Sequence, residues 1–360
     1  MRICICGGGG LGHTCAGVLS SHEDVEVLLY TKHSSQWQRD FKVNTPDATV
    51  INGHLASISD RPEDVIPQAD MVFLCLPAFL VEKTLLEIRP YLTSRAIVGA
   101  VVGNSGFFLF CRKHLPSSTK LFAFQRVPYV SRVVEYGRSA NLLGYHAKLL
   151  IATENIPDRE AFRDEITRLF KTPTELADSF YEVTLSNSNP IIHTGRLYTM
   201  WRDWDGRPSD RNTLFYHEWT DEASELEIAM DSELFSLLSV LNVNTRHLPT
   251  LLDHYEATDA ASMTAKLRSI QSLSTILSPM VQTGGGGWIP DFSSRYFIED
   301  FPYGLKMIHD LSIQHNLKCL KISEVLDWGM TKNKNLTYNL PLASHLNERS
   351  RAQRGQAALM

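Results

Sequence analysis

The feature that most constrains the fold is a run of glycines that directly follows the first apolar segment. Residues 2–6 are mostly apolar, and a G-x-G-x-x-G pattern then starts at Gly7, continues at Gly9 and ends at Gly12. In a strand–turn–helix unit the first glycine allows the tight turn, the second lets backbone approach a pyrophosphate, and the third lets the helix pack on the strand. Because a second strand is predicted at residues 25–30, the pattern indicates a dinucleotide-binding unit and not merely a glycine-rich loop.

The rest of the N-terminal half continues this alternation of strands and helices. Further strands are predicted at residues 70–76, 96–102, 120–126, 140–144 and 148–153, and helices at 11–19, 79–88 and 158–170. This order predicts an α/β fold, with a doubly wound Rossmann domain over residues 1–180.

Cofactors bind at the carboxyl edge of such a sheet. The residues that follow the strand ends are therefore candidates for the cofactor site: Gly7, Gly9, Gly10, Leu11, Gly12, Leu76, Pro77, Gly103 and Asn104. Gly103 and Asn104 would lie on the nicotinamide side, although a plain turn explains them equally well.

The end of the second strand bears on the choice of dinucleotide. NAD sites commonly place a carboxylate there for the ribose 2′-hydroxyl, whereas a 2′-phosphate requires a cation and hydroxyls. The chain has no carboxylate at this point and instead carries Thr31, Lys32 and Ser34. We therefore favour NADP over NAD; the alternative is a solvated loop with one lysine.

After residue 179 the strand pattern gives way to helical periodicity. Helices are predicted at residues 190–201, 220–241, 260–267, 302–314 and 321–328. Thr220 is a typical N-cap, and the apolar helix behind it is predicted to form the centre of a second domain. The predicted division is residues 1–180, then a mostly α-helical domain at 181–345, then a polar tail at 346–360.

The first of these helices begins in the segment Asn189–Pro190. Asn189 is predicted as the N-cap and Pro190 as the first helical residue, which leaves His193 in the first turn. By itself such a histidine is more typical of a hydrogen-bonded structural residue than of a catalytic one.

The segment at residues 283–305 combines four glycines with charges among aromatic residues. No strand is predicted before Gly284–Gly287, so we expect a mobile loop there and not a second phosphate loop. Arg295, Glu299 and Asp300 need partners if they are buried. They form either a structural Arg295–Glu299 ion pair, or an arginine for a substrate carboxylate and an acid for a histidine. Asp300 is expected at the start of a helix.

Composition narrows the class of protein. The chain has 360 residues and a formal net charge of −5, which argues against a nucleic acid partner. Its six cysteines form no CxxC pair, and no apolar run is long enough to span a membrane. We expect a cytoplasmic protein without a metal site or membrane association. Its partners would be small molecules, and a homodimer is left open.

Taken together, the motifs resemble those of the opine dehydrogenases, the octopine and nopaline dehydrogenase group. The resemblance covers nearly the whole length and rests on the glycine motif, Asn-Pro-x-x-His at 189–193, the segment 215–222, and Arg-Tyr-x-x-Glu-Asp-x-Pro-x-Gly-Leu at 295–305. It implies reductive condensation of an amino acid with a 2-oxo acid, using NADH or NADPH. It also implies that His193 is the acid/base, Asp300 its partner and Arg295 the substrate-carboxylate contact, with Asn189 orienting the substrate or the histidine helix.

The sequence departs from the family after the histidine, where Thr194, Gly195 and Arg196 stand in place of a proline or small apolar residue. Arg196 is therefore predicted either as an additional substrate contact or as a helix-surface charge. Two alternatives are kept. One is a 2-oxo acid reductase similar to ketopantoate reductases, which use a lysine-centred site that neither motif contains. The other is a non-catalytic NADP-binding protein.

Overall fold

A computed structural model describes residues 1–103 and 106–333. The chain divides into two compact units, one formed by Met1–Ser186 and the other beginning at Asn187. Asn104 and the predicted polar tail at 346–360 lie outside the described residues. Within the described part, no helix is both long and apolar enough to cross a membrane.

The first unit alternates strands and helices, as the sequence predicts. Its strands are β1 (Arg2–Cys6), β2 (Glu26–Tyr30), β3 (Asp40–Asn44), β4 (Val50–His54), β5 (Ser57–Ser59), β6 (Met71–Leu74), β7 (Ile97–Ala100), β8 (Lys120–Phe124), β9 (Tyr129–Glu135), β10 (Ser139–Tyr145), β11 (Leu149–Glu154) and β12 (Thr174–Leu176). Its α-helices are α1 (Gly10–Ser20), α2 (Pro62–Val65), α3 (Ala78–Ile88), α4 (Phe107–His114), α5 (Arg159–Phe170) and α6 (Phe180–Thr184).

Eight of these strands form the main sheet, in the order β12-β11-β8-β7-β6-β1-β2-β5. The strands β5, β2, β1, β6, β7 and β8 run parallel, and β11 joins β8 in the antiparallel direction. The apolar faces of these strands are buried, with Phe73 and Phe122 in edge-to-face contact at 5.3 Å. The predicted Rossmann fold is confirmed, with one reversed strand pair at its far edge.

A second sheet of four strands, in the order β4-β3-β10-β9, was not predicted. The strand expected at 140–144 belongs to this sheet and not to the main one. The sheet packs on α1, where the Thr14 hydroxyl lies 2.7 Å from that of Ser131 on β9. It therefore covers the helix that begins at the glycine motif.

The second unit is mostly helical, as predicted. Its α-helices are α7 (Asn189–Trp201), α8 (Asp221–Val240), α9 (Leu251–His254), α10 (Ala260–Ser269), α11 (Lys306–Gln314) and α12 (Leu320–Lys332). Thr220 caps α8 by accepting a hydrogen bond from the Ala223 amide, which confirms the predicted cap. Met230, Leu234, Leu237 and Leu238 of α8 are buried, so this helix forms the centre of the unit.

Two features of this unit differ from the predictions. The glycines Gly284–Gly287 do follow a strand, because β13 (Met280–Gln282) pairs with β14 (Trp288–Pro290) and the glycines form the turn of this hairpin. The segment Tyr296–Leu305 is a π-helix that runs directly into α11, with Pro302 inside it. Asp300 therefore lies in the middle of a helix and not at its start.

Candidate active site

The glycine motif has the geometry that a dinucleotide requires. Gly7 has φ +123°, and a Cβ atom there would lie 2.4 Å from the Cys75 carbonyl oxygen. A Cβ on Gly12 would lie 2.0 Å from the Gly7 carbonyl oxygen, so only glycine permits this close packing of α1 on the turn. A Cβ on Gly9 would meet no atom within 4 Å, which leaves the backbone open to an approaching phosphate. The turn, followed by the first amides of α1 at Gly10 and Leu11, fits a pyrophosphate.

The end of β2 differs from a simple cation site. The Lys32 ammonium donates to the Tyr30 hydroxyl at 2.6 Å and pairs with the Glu87 carboxylate at 3.0 Å. The Lys32 side chain is still 57% exposed, whereas Thr31 is buried and accepts a weak hydrogen bond from the His33 amide. Glu87, which comes from α3, thus supplies the carboxylate that the local sequence lacked.

The remaining cofactor candidates separate into two groups. Leu76 and Pro77 follow β6 and are partly exposed, as their predicted place at the sheet edge requires. Gly103 is buried, its amide donates to the Phe124 carbonyl at 2.7 Å, and its carbonyl accepts from Thr184. Gly103 stays a predicted nicotinamide-side residue, although its amide and carbonyl already have partners within the fold.

The central observation in the second unit is a paired histidine and aspartate. His193 Nδ1 lies 2.8 Å from Asp300 Oδ2, and the two side chains are 12% and 13% exposed. The histidine comes from α7 and the aspartate from the π-helix, which pack closely: a Cβ on Gly304 would lie 2.3 Å from Pro190 Cγ. The pairing that the family resemblance implied is present.

The helix that carries His193 starts one residue earlier than predicted. Asn189 is its first residue and Ser188 the N-cap, so Pro190 occupies the second helical position. The Asn189 side chain makes no cap, and the Asn189 backbone N–H donates to Asn187 Oδ1 at 3.2 Å. Asn189 is exposed and stays a predicted substrate residue.

A tyrosine occupies the other side of the imidazole. The Tyr216 hydroxyl lies 3.0 Å from His193 Nε2, and the Tyr296 ring packs edge-on against the imidazole at 4.6 Å. The pKa of Tyr216 is raised far above its usual range. The largest cause is burial, and the smaller causes are the nearby Tyr296, Tyr255, Asp300 and Glu227. Tyr216 is therefore a phenol that donates a hydrogen bond, not a phenolate.

The two predicted substrate arginines lie in opposite environments. The Arg295 side chain is 73% exposed and its guanidinium forms an ion pair with Glu299 at 2.5 Å. Arg196 is only 4% exposed and donates to the backbone carbonyls of Phe215 and Glu218. The surface-charge interpretation of Arg196 is wrong because the side chain is buried, and its role as a substrate contact stays a prediction.

Three residues near these groups, one in the first unit and two in the second, had no predicted role. Tyr216 is 23 positions from His193, and no helical or strand spacing links them. Glu87 reaches β2 from a different element. Glu227 of α8 is fully buried near Arg196, and among the described residues neither of its carboxyl oxygens has a hydrogen-bond partner. The buried residues of α8 also include Ser224 and Asp231, so no break in an apolar pattern marked Glu227 in advance.

Comparison with known proteins supports the resemblance. The family model of the NAD/NADP octopine/nopaline dehydrogenase α-helical domain matches residues 176–333, which include the histidine, the aspartate and the buried tyrosine. A second model, for ketopantoate reductase PanE/ApbA, matches residues 3–102 in the first unit. The predicted resemblance to the opine dehydrogenases is confirmed: the helical domain matches their family model, and opine and octopine dehydrogenases are similar to this chain over most of its length.

One similar protein is the opine dehydrogenase of Haliotis discus hannai, which is 25% identical over 91% of this chain and 89% of that protein. An octopine dehydrogenase structure with NADH and L-arginine has a TM-score of 0.83 at 23% identity, covering 92% of this chain and 89% of its own. A yersinopine dehydrogenase structure with NADP⁺ has a TM-score of 0.71 at 11% identity, over 93% and 91% of the two chains. These two structures show a shared fold.

Proposed function

We propose that this protein is an NAD(P)H-dependent opine dehydrogenase in which His193 is the acid/base. The amino group of an amino acid condenses with a 2-oxo acid, water leaves, and the resulting imine is reduced to an N-(carboxyalkyl) amino acid. The bound nicotinamide cofactor supplies the hydride that the imine carbon receives. The His193–Asp300 pair, at 2.8 Å within a family of this activity, is the observation that carries the proposal.

The His193–Asp300 pair supports one of the two imidazole nitrogens as the site of proton transfer. Asp300 accepts the Nδ1–H of His193, so Nε2 is the nitrogen that gains or loses the catalytic proton. In the reductive direction Nε2–H of the imidazolium protonates the nitrogen of the substrate, and in the oxidative direction neutral Nε2 removes that proton. Asp300 stabilises the imidazolium in both directions.

Arg295 is the proposed contact for a substrate carboxylate. Its exposed guanidinium can bind a carboxylate through two parallel hydrogen bonds. Glu299 already holds one side of this guanidinium, so it competes with the substrate for the same donors. Asn189 is proposed as an orienting residue, since it is exposed at the start of the helix that carries His193.

For the cofactor, we favour NADP over NAD. Support comes from the exposed Lys32 ammonium at the end of β2, with Thr31 and Ser34 beside it in the chain. Glu87 opposes a 2′-phosphate because it neutralises this lysine. Lys32→Met should lower the ratio of NADPH to NADH efficiency, and Glu87→Gln should raise it. If neither variant changes the ratio, Lys32 serves only as the partner of Glu87.

The reaction is tested with a matrix of amino acids against pyruvate, oxaloacetate and 2-oxoglutarate. NAD(P)H oxidation and the mass of the product are measured, and His193→Ala is the matched inactive variant. An N-(carboxyalkyl) amino acid is the expected product. A 2-hydroxy acid formed without any amine would indicate a ketopantoate reductase-like enzyme. Intact cofactor binding with no turnover across the matrix would indicate a non-catalytic binding protein.

A further inference from the structure

The proton-transfer nitrogen of His193 already has a partner within the fold. Tyr216 is 8% exposed, and its hydroxyl lies 3.0 Å from Nε2. Since Asp300 accepts the proton of Nδ1, neutral Nε2 has a lone pair that accepts from the Tyr216 hydroxyl. Asp300, His193 and Tyr216 thus form one hydrogen-bonded chain.

The position of Tyr216 depends on a buried arginine. Arg196 Nη2 donates to the Glu218 carbonyl at 2.6 Å, and Arg196 Nε donates to the Phe215 carbonyl at 3.3 Å. These carbonyls flank Tyr216 in the sequence, so one guanidinium holds both sides of the turn. Arg196 lies on α7, the helix that also carries His193. It therefore ties the tyrosine segment to the histidine helix.

Ring stacking adds a second link between the same groups. The Arg196 guanidinium lies over the Trp219 ring at 5.3 Å, and the Trp219 and Tyr216 rings stack at 5.6 Å with an interplanar angle of 6°. Trp219 is fully buried. The planar guanidinium of arginine suits both the stacking and the fork of hydrogen bonds, whereas a lysine ammonium supplies neither.

The charges around this chain favour a stable, protonated Tyr216. Four groups act electrostatically on Tyr216: Asp300 and Tyr296 from the π-helix, Tyr255 from the end of α9, and Glu227 from α8. Burial raises the pKa of Glu227 well above its usual range, which favours its uncharged form. Burial also lowers the pKa of Arg196 to about 10, so this residue stays cationic at neutral pH.

We propose that Tyr216 is the resident hydrogen-bond partner of His193 Nε2 and that Arg196 is the residue that positions it. The working unit is then Asp300–His193–Tyr216, with Arg196 acting through the tyrosine. The Tyr216 hydroxyl can donate to neutral Nε2 and accept from the Nε2–H of the imidazolium, so it stays the partner of Nε2 in both protonation states. This inference rests on the proposed opine dehydrogenase activity.

The test is a double-mutant cycle on the full-length protein, with Tyr216→Phe, Arg196→Lys and the two combined. Tyr216→Phe should lower kcat about tenfold, the loss expected for one hydrogen bond in a buried site. Arg196→Lys should cause a similar loss. In the Tyr216→Phe background, Arg196→Lys should cost less than about twofold more, because residues acting through one another are not additive.

The pH profile supplies a readout that a purely structural role would not move. Without the Tyr216 hydroxyl, the imidazolium loses a charge-assisted hydrogen bond, whereas the neutral imidazole loses only a neutral one. The pH midpoint of the oxidative reaction, which needs neutral Nε2, should then fall by about half a unit to one unit in Tyr216→Phe. Arg196→Lys should shift it in the same direction.

Controls separate this inference from folding and from the proposed function. Arg202 follows the last residue of the same helix and pairs at the surface with Glu222. Arg202→Lys should therefore leave kcat and the pH midpoint unchanged. Thermal unfolding and cofactor affinity, which depends on the first unit, establish that each variant is folded. Multiplicative losses in the cycle, or an unshifted midpoint in Tyr216→Phe, would overturn the inference. An inactive wild type would instead overturn the proposed function.

Discussion

Replacing Asp300 by asparagine isolates the charge of the His193–Asp300 pair. The amide oxygen can still accept the Nδ1–H of His193 across the 2.8 Å contact, so the geometry is retained while the negative charge is lost. Both side chains are largely shielded from solvent, at 12% and 13% exposure, so screening removes little of the interaction. A hydrogen bond to a charged group contributes about 1.5–3 kcal/mol, which corresponds to a loss of about 10- to 100-fold in kcat.

The chain offers a matched control for this change. His309 Nδ1 lies 2.8 Å from Asp310 Oδ1 on α11, the same type of pair at the same distance but with no predicted catalytic role. Initial rates of opine formation at saturating substrates should fall in Asp300→Asn and stay within about twofold in Asp310→Asn. Cofactor affinity should not change in either variant. If Asp300→Asn retains more than a third of wild-type kcat, the charge of Asp300 does not stabilise the transition state.

Three further changes test the packing and the buried acids of the second unit. Gly304→Ala places a Cβ 2.3 Å from Pro190 Cγ, so the free energy of unfolding measured in urea should fall by about 1–3 kcal/mol. Activity should also fall, because the added methyl group pushes the π-helix away from α7. Burial raises the pKa of Asp231 to about 6 from 3.8, so its contribution to stability falls as pH rises between these values. Asp231→Asn should therefore stabilise the fold by up to about 3 kcal/mol at pH near 8, and by almost nothing below pH 4, in unfolding titrations at both pH values. Glu227→Gln should change the free energy of unfolding by less than about 1 kcal/mol at neutral pH, because the uncharged acid is replaced by an uncharged amide; a loss of several kcal/mol would show that Glu227 is ionised.

The parts of the fold that the sequence predicted are those with strong local signals. The turn at Gly7–Gly12 was predicted from the spacing of its glycines, and the structure gives Gly7 and Gly12 a steric reason while Gly9 lies open. The helix α8 was predicted from its cap at Thr220 and its apolar residues. The second sheet was missed because β3 and β10 pair across about a hundred residues, and β3 alternates between buried and exposed positions over only five residues.

At the site, the family resemblance predicted the contact between His193 and Asp300 but not its surroundings. Pro302 is typical of a helix start, since proline lacks a backbone donor, and this placed Asp300 outside the helix. A π-helix is rare and has no simple sequence pattern, so the continuous segment Tyr296–Leu305 was not anticipated. The Tyr216 contact depends on how the turn at 215–219 packs on α7. No local pattern encodes that packing.

The contrast between the two arginines shows why residue type alone could not assign their roles. Arg196 is enclosed, and its guanidinium is committed to two backbone carbonyls that would lose their partner if a substrate took its place. Removing such a partner leaves buried acceptors unsatisfied, at a cost of about 1–3 kcal/mol each. Arg295 is exposed and, within the described part of the chain, pairs with a carboxylate that another carboxylate could replace. If Arg295 binds the substrate as proposed, an incoming 2-oxo acid or amino acid would exchange one carboxylate for another there. At Arg196 it would have to break the bonds that hold the Tyr216 segment.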